Sequence, residues 1–449
     1  MAALSRQNIW WEGRVEDDYT LRQWKGHPLH WTPMNLASLS LEPFSLNLVF
    51  GPRQAGKTTL LKFAVQGLLS SGEPAKSILY LRCDEIAGAP ELREVLQEFL
   101  SFAGQQPVFI FIDEASEVKG WEKMLKGFID DGALGDAVVT VSGSNAFQLQ
   151  RGSELFPGRR GKGRDSYVLP LTFREFLRVC EPELSKKIPR LEALNALPSG
   201  AGGLMAFLPR LQKRLLDFFE CGGFPLAVLS YLKDGYVSEA AKEAYKSWVI
   251  GDVLKNGKSD VLAREVMKVI LSKAPSPVSW EGIAQETSIK SPPTVASYAD
   301  LFERLFVLLP LHCVNPNNGA REFAKNKKLL LLDPFLWTIF GEWCLQPLQN
   351  KAELLAESCL SAHLARFLLA AQGGRRLSDN LSYWRNGHEL DAVAHTRDGL
   401  LGFESKWSDR KGYFKPRVGP IKGVTYVSRG TFKEGRSATI PLALFLAML

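Results

Sequence analysis

LNLVFGPRQAGKTTLLKFAVQGLLS (46–70) is the stretch that decides the fold. LNLVF (46–50) reads as a short buried strand, GPRQAGKT (51–58) as a glycine-bearing turn, and 57–70 as a helix. Strand, glycine turn and helix in this order form a phosphate-binding loop. Gly51 and Gly56 let the backbone curl so that its N–H groups point at phosphate oxygens. The start of the helix adds partial positive charge. Lys57 is placed to neutralise the terminal phosphates of a nucleoside triphosphate, and the Thr58 hydroxyl to ligate magnesium. Pro52 and Thr59 complete the expected cofactor-binding set.

The flanking sequence repeats the alternation. SILYLRC (77–83), VFIFID (108–113) and AVVTVSGS (137–144) read as strands, and ELREVLQEFLSFA (91–103) as a helix. Uniformly apolar strands separated by amphipathic helices predict a parallel sheet covered on both faces. VFIFIDEAS (108–116) ends in Asp113, which can hold the magnesium shell, and Glu114, placed to polarise an attacking water. At the next strand tip, Ser144 and Asn145 can report on the terminal phosphate or simply make a polar turn. FPGRRGKGR (156–164) sets Arg159 and Arg160 among glycines, as an arginine finger toward a neighbouring subunit, a nucleic-acid contact or a solvated loop. The finger is the favoured reading, for either arginine.

GPRQAGKTTLL, FIDEASEVKGWE (111–122), VSGSNA (141–146) and PGRRGKGR (157–164) followed by LPLTFREFL (169–177) together resemble the archaeal-type AAA-like P-loop ATPases. NIWWEG (8–13) resembles that family's lead-in to the nucleotide site. GGFPLAV (222–228) resembles its lid signature, and LLLLDPFLW (329–337) the segment after its winged helix. The resemblance implies an ATPase core, a helical lid, a winged helix and a C-terminal domain of unknown function. The arginine loop is longer than the family pattern, and the lid shows no clear sensor arginine.

WEGIAQETSIKSPPTVASYADLFERLFVL (280–308) reads as helix–turn–helix. Val295, Tyr298, Leu301, Leu305 and Leu308 line one face of the second helix. FVLLPLHCV (306–314) can pair with KKLLLLD (327–333) as a wing. Lys290, Ser291 and Thr294 then lie near DNA phosphates, or the module serves only protein packing.

The last hundred residues return to strands at 381–385, 389–394, 400–406 and 424–428, after an amphipathic helix (353–370). Glu404 and Lys406 share one strand face, and the RDG turn brings Asp391 beside them. Two carboxylates and a lysine can bind a divalent metal and activate water, with Glu357 as a third carboxylate. Helix and three strands carrying Glu, Asp and Glu-x-Lys resemble the restriction-endonuclease-like nucleases, which implies a metal-dependent endonuclease or a retained binding module. GYFKPRVGPIKG (412–423), with two prolines, replaces the helix expected after the third strand.

Composition sets the outer limits. Hydrophobic residues are 45% and charged residues 23% of 449, which excludes a mainly disordered chain. Six cysteines form no CxxC pair, so free thiols in a reducing cytoplasm are expected. MAALSRQNIWWEG has no apolar core of a signal peptide, and IPLALFLAML (440–449) is far short of the ~20 residues of a membrane helix. The formal net charge is +7. Residues 404–436 hold nine basic and three acidic side chains, 9 − 3 = +6, so most of the surplus is local.

The expected fold class is α/β: a P-loop NTPase (AAA-like) core over 1–178, a helical lid over 179–256, a winged helix over 257–345 and a nuclease-like domain over 346–449. The expected function is an ATP- and Mg2+-dependent ATPase acting on or bound to branched or duplex DNA, whose C-terminal domain is either an endonuclease centred on Asp391, Glu404 and Lys406 or an inert binding module. A homo-oligomer is the assembly considered, with a ring as one open form of it, and no membrane partner is expected. The alternative is a nucleotide-driven signalling switch whose C-terminal domain only docks a partner.

Overall fold

The computed structural model describes residues 2–27, 30, 38–104, 107–143, 149, 156–196, 200–348, 351–386, 388–407, 421, 423–435 and 438–449. The chain divides into two compact units, Met1–Leu169 and Pro170–Leu449.

The first unit is built on five parallel strands: β1 (Ser45–Phe50), β2 (Ile78–Arg82), β3 (Phe109–Asp113), β4 (Val138–Gly143) and β5 (Asp165–Tyr167). Their spatial order is β2-β3-β4-β1-β5. All residues of β1, β3 and β4 are buried, as strands covered on both faces must be. Helices Lys57–Ser70, Ala89–Ala103 and Trp121–Asp130 follow β1, β2 and β3. β4 lies between β1 and β3, so the phosphate loop and the acidic end of β3 flank one strand.

β2 is an edge strand, and the N-terminal segment covers its open side. The Asn8 side chain accepts from the Tyr80 N–H (2.6 Å) and donates to the Tyr80 carbonyl (2.9 Å). Both indoles, of Trp10 and Trp11, donate to the Ile78 carbonyl at 3.1 and 2.9 Å. Side chains thus satisfy the backbone groups that an unpaired edge exposes. That is the local role of NIWW.

The second unit starts with helices. Phe173–Cys180 opens with a capping box between Thr172 and Glu175. Leu208–Cys221 and Pro225–Asp234 are joined by Gly222, Gly223 and Phe224. The Gly223 N–H donates to Asp333 Oδ2 (2.8 Å), and its carbonyl accepts from the Leu171 N–H (2.7 Å). A Cβ at Gly223 would lie 2.0 Å from the Leu171 carbonyl oxygen, so only glycine fits. Asp333 also accepts from the Phe335 N–H (2.9 Å), capping helix Pro334–Trp343. GGFP and LLDPF, 110 residues apart, therefore meet at one buried carboxyl, which burial pushes up to about 7.

Trp280–Gln285 and Pro292–Arg304 form the expected helix pair, with Val295, Tyr298 and Leu301 buried on the second helix. Leu305 and Leu308 are buried too, but Leu305 lies just past the helix end and Leu308 begins the next strand, so they do not extend that helical face as expected. The strands that follow are β6 (Leu308–Val314) and β7 (Arg321–Leu331), paired antiparallel. β8 (Leu381–Asn386), β9 (His388–Thr396), β10 (Gly399–Lys406), β11 (Val424–Ser428) and β12 (Thr439–Pro441) complete a seven-stranded sheet of order β12-β11-β10-β9-β8-β6-β7. β6 meets β8 at Cys313 and Tyr383. The β6–β7 hairpin and strands β8 to β12 thus belong to one sheet.

Helix Lys351–Gln372 is long and apolar enough to cross a membrane by length and composition, yet 78% of its apolar window is buried inside the second unit. IPLALFLAML forms the end of β12 and a final helix, Leu442–Met448, with every residue of that helix buried. All six cysteines are free thiols, and all but Cys180 are buried.

Candidate functional site

The phosphate loop leaves β1 at Gly51, whose φ of 157° and lack of a Cβ permit close approach to Val168; an added Cβ would lie 2.0 Å from its carbonyl oxygen. Gln54 (φ 58°) and Gly56 (φ 102°) turn the loop into the helix. Pro52 is buried, and Thr59 is half-buried in the first helical turn. Lys57 is 4% exposed and donates to the carbonyls of Gly51 (3.1 Å) and Pro52 (2.9 Å). Its ammonium lies 3.9 Å from Glu114 Oε1.

Asp113 ends β3 and is the hub. Oδ2 accepts from Thr58 Oγ1 at 2.6 Å and from the Tyr80 hydroxyl at 2.8 Å. Oδ1 accepts from Ser142 Oγ. Ser142 in turn accepts from the Glu114 N–H at 3.2 Å. Glu114 sits at φ 54°, a left-handed conformation that a non-glycine residue adopts at a cost, as at many functional sites. Burial and the Asp113 charge raise the Tyr80 phenol, so it stays a donor. The Lys62 ammonium stacks 3.6 Å from the centre of the Tyr80 ring and pairs with Asp18 at 3.0 Å. Burial pulls the Lys62 pKa down.

The fold thus brings Gly51, Gly56, Lys57, Thr58, Asp113 and Glu114 together. Ser144 and Asn145 lie outside the described residues. Sequence reasoning missed Ser142 and Tyr80. Ser142 carried a faint signal, as a hydroxyl inside an apolar strand; Tyr80 carried none, because a tyrosine there reads as core. Arg159 pairs with Asp130 (2.5 Å), and Arg160 with Asp165 (2.6 Å) and the Leu46 carbonyl (3.2 Å). Both arginines are engaged within their own unit.

The C-terminal cluster is arranged around a residue the sequence had assigned to the wing. Lys328 is fully buried on β7, and its Nζ contacts Glu357 Oε1 (2.6 Å), Glu389 Oε1 (2.5 Å) and Asp391 Oδ1 (3.1 Å). Asp391 Oδ2 accepts from the Ser405 N–H at 2.7 Å. Glu404 pairs with Lys406, and its Oε2 is buried without a hydrogen-bond partner among the described residues. One ammonium faces three carboxylates, so burial, with the neighbouring acids, pushes Glu357 up to about 8; burial and Asp391 push Glu404 up to about 7. The carboxylates hold Lys328 charged against the opposing effect of burial.

The structure departs here from the expected metal ligands Glu357, Asp391 and Glu404. Among the described residues, no three Asp, Glu, His or Cys side chains are grouped to hold a metal ion. A cavity of about 580 Å3 opens beside the cluster, with Glu353, Glu357, Asp391, Ser405, Lys406 and Trp407 in its wall. Lys290, Ser291 and Thr294 are exposed at the start of helix Pro292–Arg304. Of the nine basic residues counted over 404–436, only Lys406, Arg429 and Lys433 are among the described residues.

Residues 44–177 match the family described as AAA domain. This part of the chain is an AAA-type P-loop domain, the class that its parallel sheet and phosphate loop define. Residues 212–341 match a domain of unknown function, DUF8612. An uncharacterized protein of Haemophilus influenzae is 23% identical over 279 residues, which cover 58% of this chain and 61% of that protein. The chain thus spans about three fifths of that relative's length. An uncharacterized protein of Methanocaldococcus jannaschii is 22% identical over 367 residues, 79% of this chain and 73% of that one. Among solved structures, the Aeropyrum pernix ORC1 protein in complex with DNA is similar with a TM-score of 0.32 and 13% identity, covering 74% of this chain and 96% of that one. The Aeropyrum pernix ORC2 protein gives a TM-score of 0.35 and 10% identity, covering 74% and 93%.

Proposed function

We propose that this chain is a magnesium-dependent ATPase whose nucleotide cycle controls its engagement of DNA. The observation that carries the ATPase reading is the 2.6 Å contact of Thr58 with Asp113, beside Lys57 and Glu114. A hydroxyl and a carboxylate at this separation are hard oxygen donors that suit Mg2+, which would supply charge neutralisation of the phosphates. Lys57 exchanges its loop carbonyls for phosphate oxygens when nucleotide binds. Glu114 accepts a proton from, or orients, the attacking water. Gly51, Pro52, Gly56 and Thr59 shape the loop around the phosphates.

DNA contact is assigned to Lys290, Ser291 and Thr294 and to the basic segment 404–436. For the C-terminal domain, the ion pairs of Lys328 favour a binding role over metal-dependent cleavage by Asp391, Glu404 and Lys406. Free thiols suit the cytoplasm. Assembly into a homo-oligomer would let Arg159 or Arg160 leave its carboxylate partner and act as a finger on a second copy.

The test is ATP turnover with and without duplex and branched DNA, over a salt series. Stimulation that fades with rising salt supports the proposal. A rate blind to DNA, with no gel shift at low salt, returns the nucleotide-driven protein switch. Mixing Arg159→Ala with Lys57→Ala subunits should restore activity if the finger acts between copies.

A further inference from the structure

We infer that Lys328 is a built-in cation that takes the place of a divalent metal among Glu357, Glu389 and Asp391, so the C-terminal pocket is not a metal site. The inference is independent of the nucleotide reading, because it concerns only the second unit.

The geometry starts with strand parity. Successive side chains on β7 point to opposite faces. Lys327 lies over the Trp280 ring, 5.3 Å from its centre. Lys328 therefore faces the other way, into the carboxylates on helix Lys351–Gln372 and β9. β7 is held on β6 by a continuous run of pairs from Leu308↔Leu331 to His312↔Lys327. The Lys328 side chain has no exposed surface, so it cannot swing into solvent while that pairing lasts.

A divalent ion bound by Glu357 and Asp391 would lie against this ammonium, with like charges in contact and little water to screen them. Of the remaining acceptors, Asp391 Oδ2 is engaged by the Ser405 N–H and Glu404 Oε1 by Lys406. Buried carboxylates need a countercharge, and here the chain supplies it. The same arrangement ties the hairpin β6–β7 to helix Lys351–Gln372 and β9 through charge as well as through the shared sheet.

The test is Mn2+ binding by the nucleotide-free full chain, followed by electron paramagnetic resonance of the free ion. Wild type and Asp391→Asn should bind equally. Lys328→Met should bind Mn2+ at least tenfold more tightly than wild type, and adding Asp391→Asn should abolish that gain. If Lys328→Met fails to fold, Lys328→Met with Glu389→Gln removes an acid together with the base and carries the same comparison. A wild-type Mn2+ site that disappears in Asp391→Asn overturns the inference. So does a folded Lys328 variant with no gain.

Discussion

The Tyr80 hydroxyl donates a 2.8 Å hydrogen bond to Asp113 Oδ2, the same oxygen that accepts from Thr58. A phenol from the neighbouring strand β2 thus holds the carboxylate that ends β3. Tyr80→Phe keeps the ring and its contact with Lys62 but removes this donor. The expected cost is about 1–2 kcal/mol in urea denaturation, with ATP turnover needing more Mg2+ for half-saturation. Unchanged stability and an unchanged Mg2+ requirement would argue against a positioning role.

Lys57 and Glu114 lie 3.9 Å apart but are assigned different tasks. Lys57→Ala should weaken binding of a fluorescent ATP analogue by roughly tenfold or more, because the phosphates lose their countercharge. Glu114→Gln should leave that affinity nearly intact and lower kcat by about 10²–10⁴, the range for loss of general-base catalysis. Equal effects of the two substitutions on affinity would contradict the assignment.

Gly223→Ala should destabilise the second unit by about 3 kcal/mol or more, because a Cβ placed 2.0 Å from the Leu171 carbonyl forces the backbone apart. The hydrogen bond to Asp333 would be disturbed with it. Thermal denaturation of the variant is the measurement, and an unshifted melting temperature would refute the packing argument.

Burial, with the neighbouring acids, pushes Glu357 from the ordinary 4.5 up to about 8, so the folded state binds its proton more tightly than the unfolded state. Its contribution to stability is fully present below 4.5 and is lost as pH rises to about 8. Glu404, pushed up to about 7, acts with the same sign. Glu357→Gln removes the ionisation and should flatten the decline of the second unit's stability across that window, as followed by thermal denaturation at a series of pH values. A decline of undiminished slope would show that Glu357 does not carry it.

Much of this protein is legible in its residues because the signals are local. The phosphate loop needs Gly51, Gly56, Lys57 and Thr58 in consecutive order, and the strands and helices of the first unit announce themselves by period and by turns. The parity that sets Glu404 and Lys406 on one face of β10 also yields their observed ion pair. Asp113 is readable as the acidic end of an apolar strand. By itself, then, the sequence determined the phosphate loop, the parallel sheet around it and the positions of the acids. What only the tertiary structure decided is which groups face those acids. Tyr80 and Ser142 reach Asp113 from two different strands, and Lys328 reaches Glu357, Glu389 and Asp391 across 29 to 63 residues of chain. Strand order and the joining of β6 to β8 create these contacts, and neither leaves a mark in local periodicity. A buried charge takes its meaning from its partner, and the partner is chosen by packing.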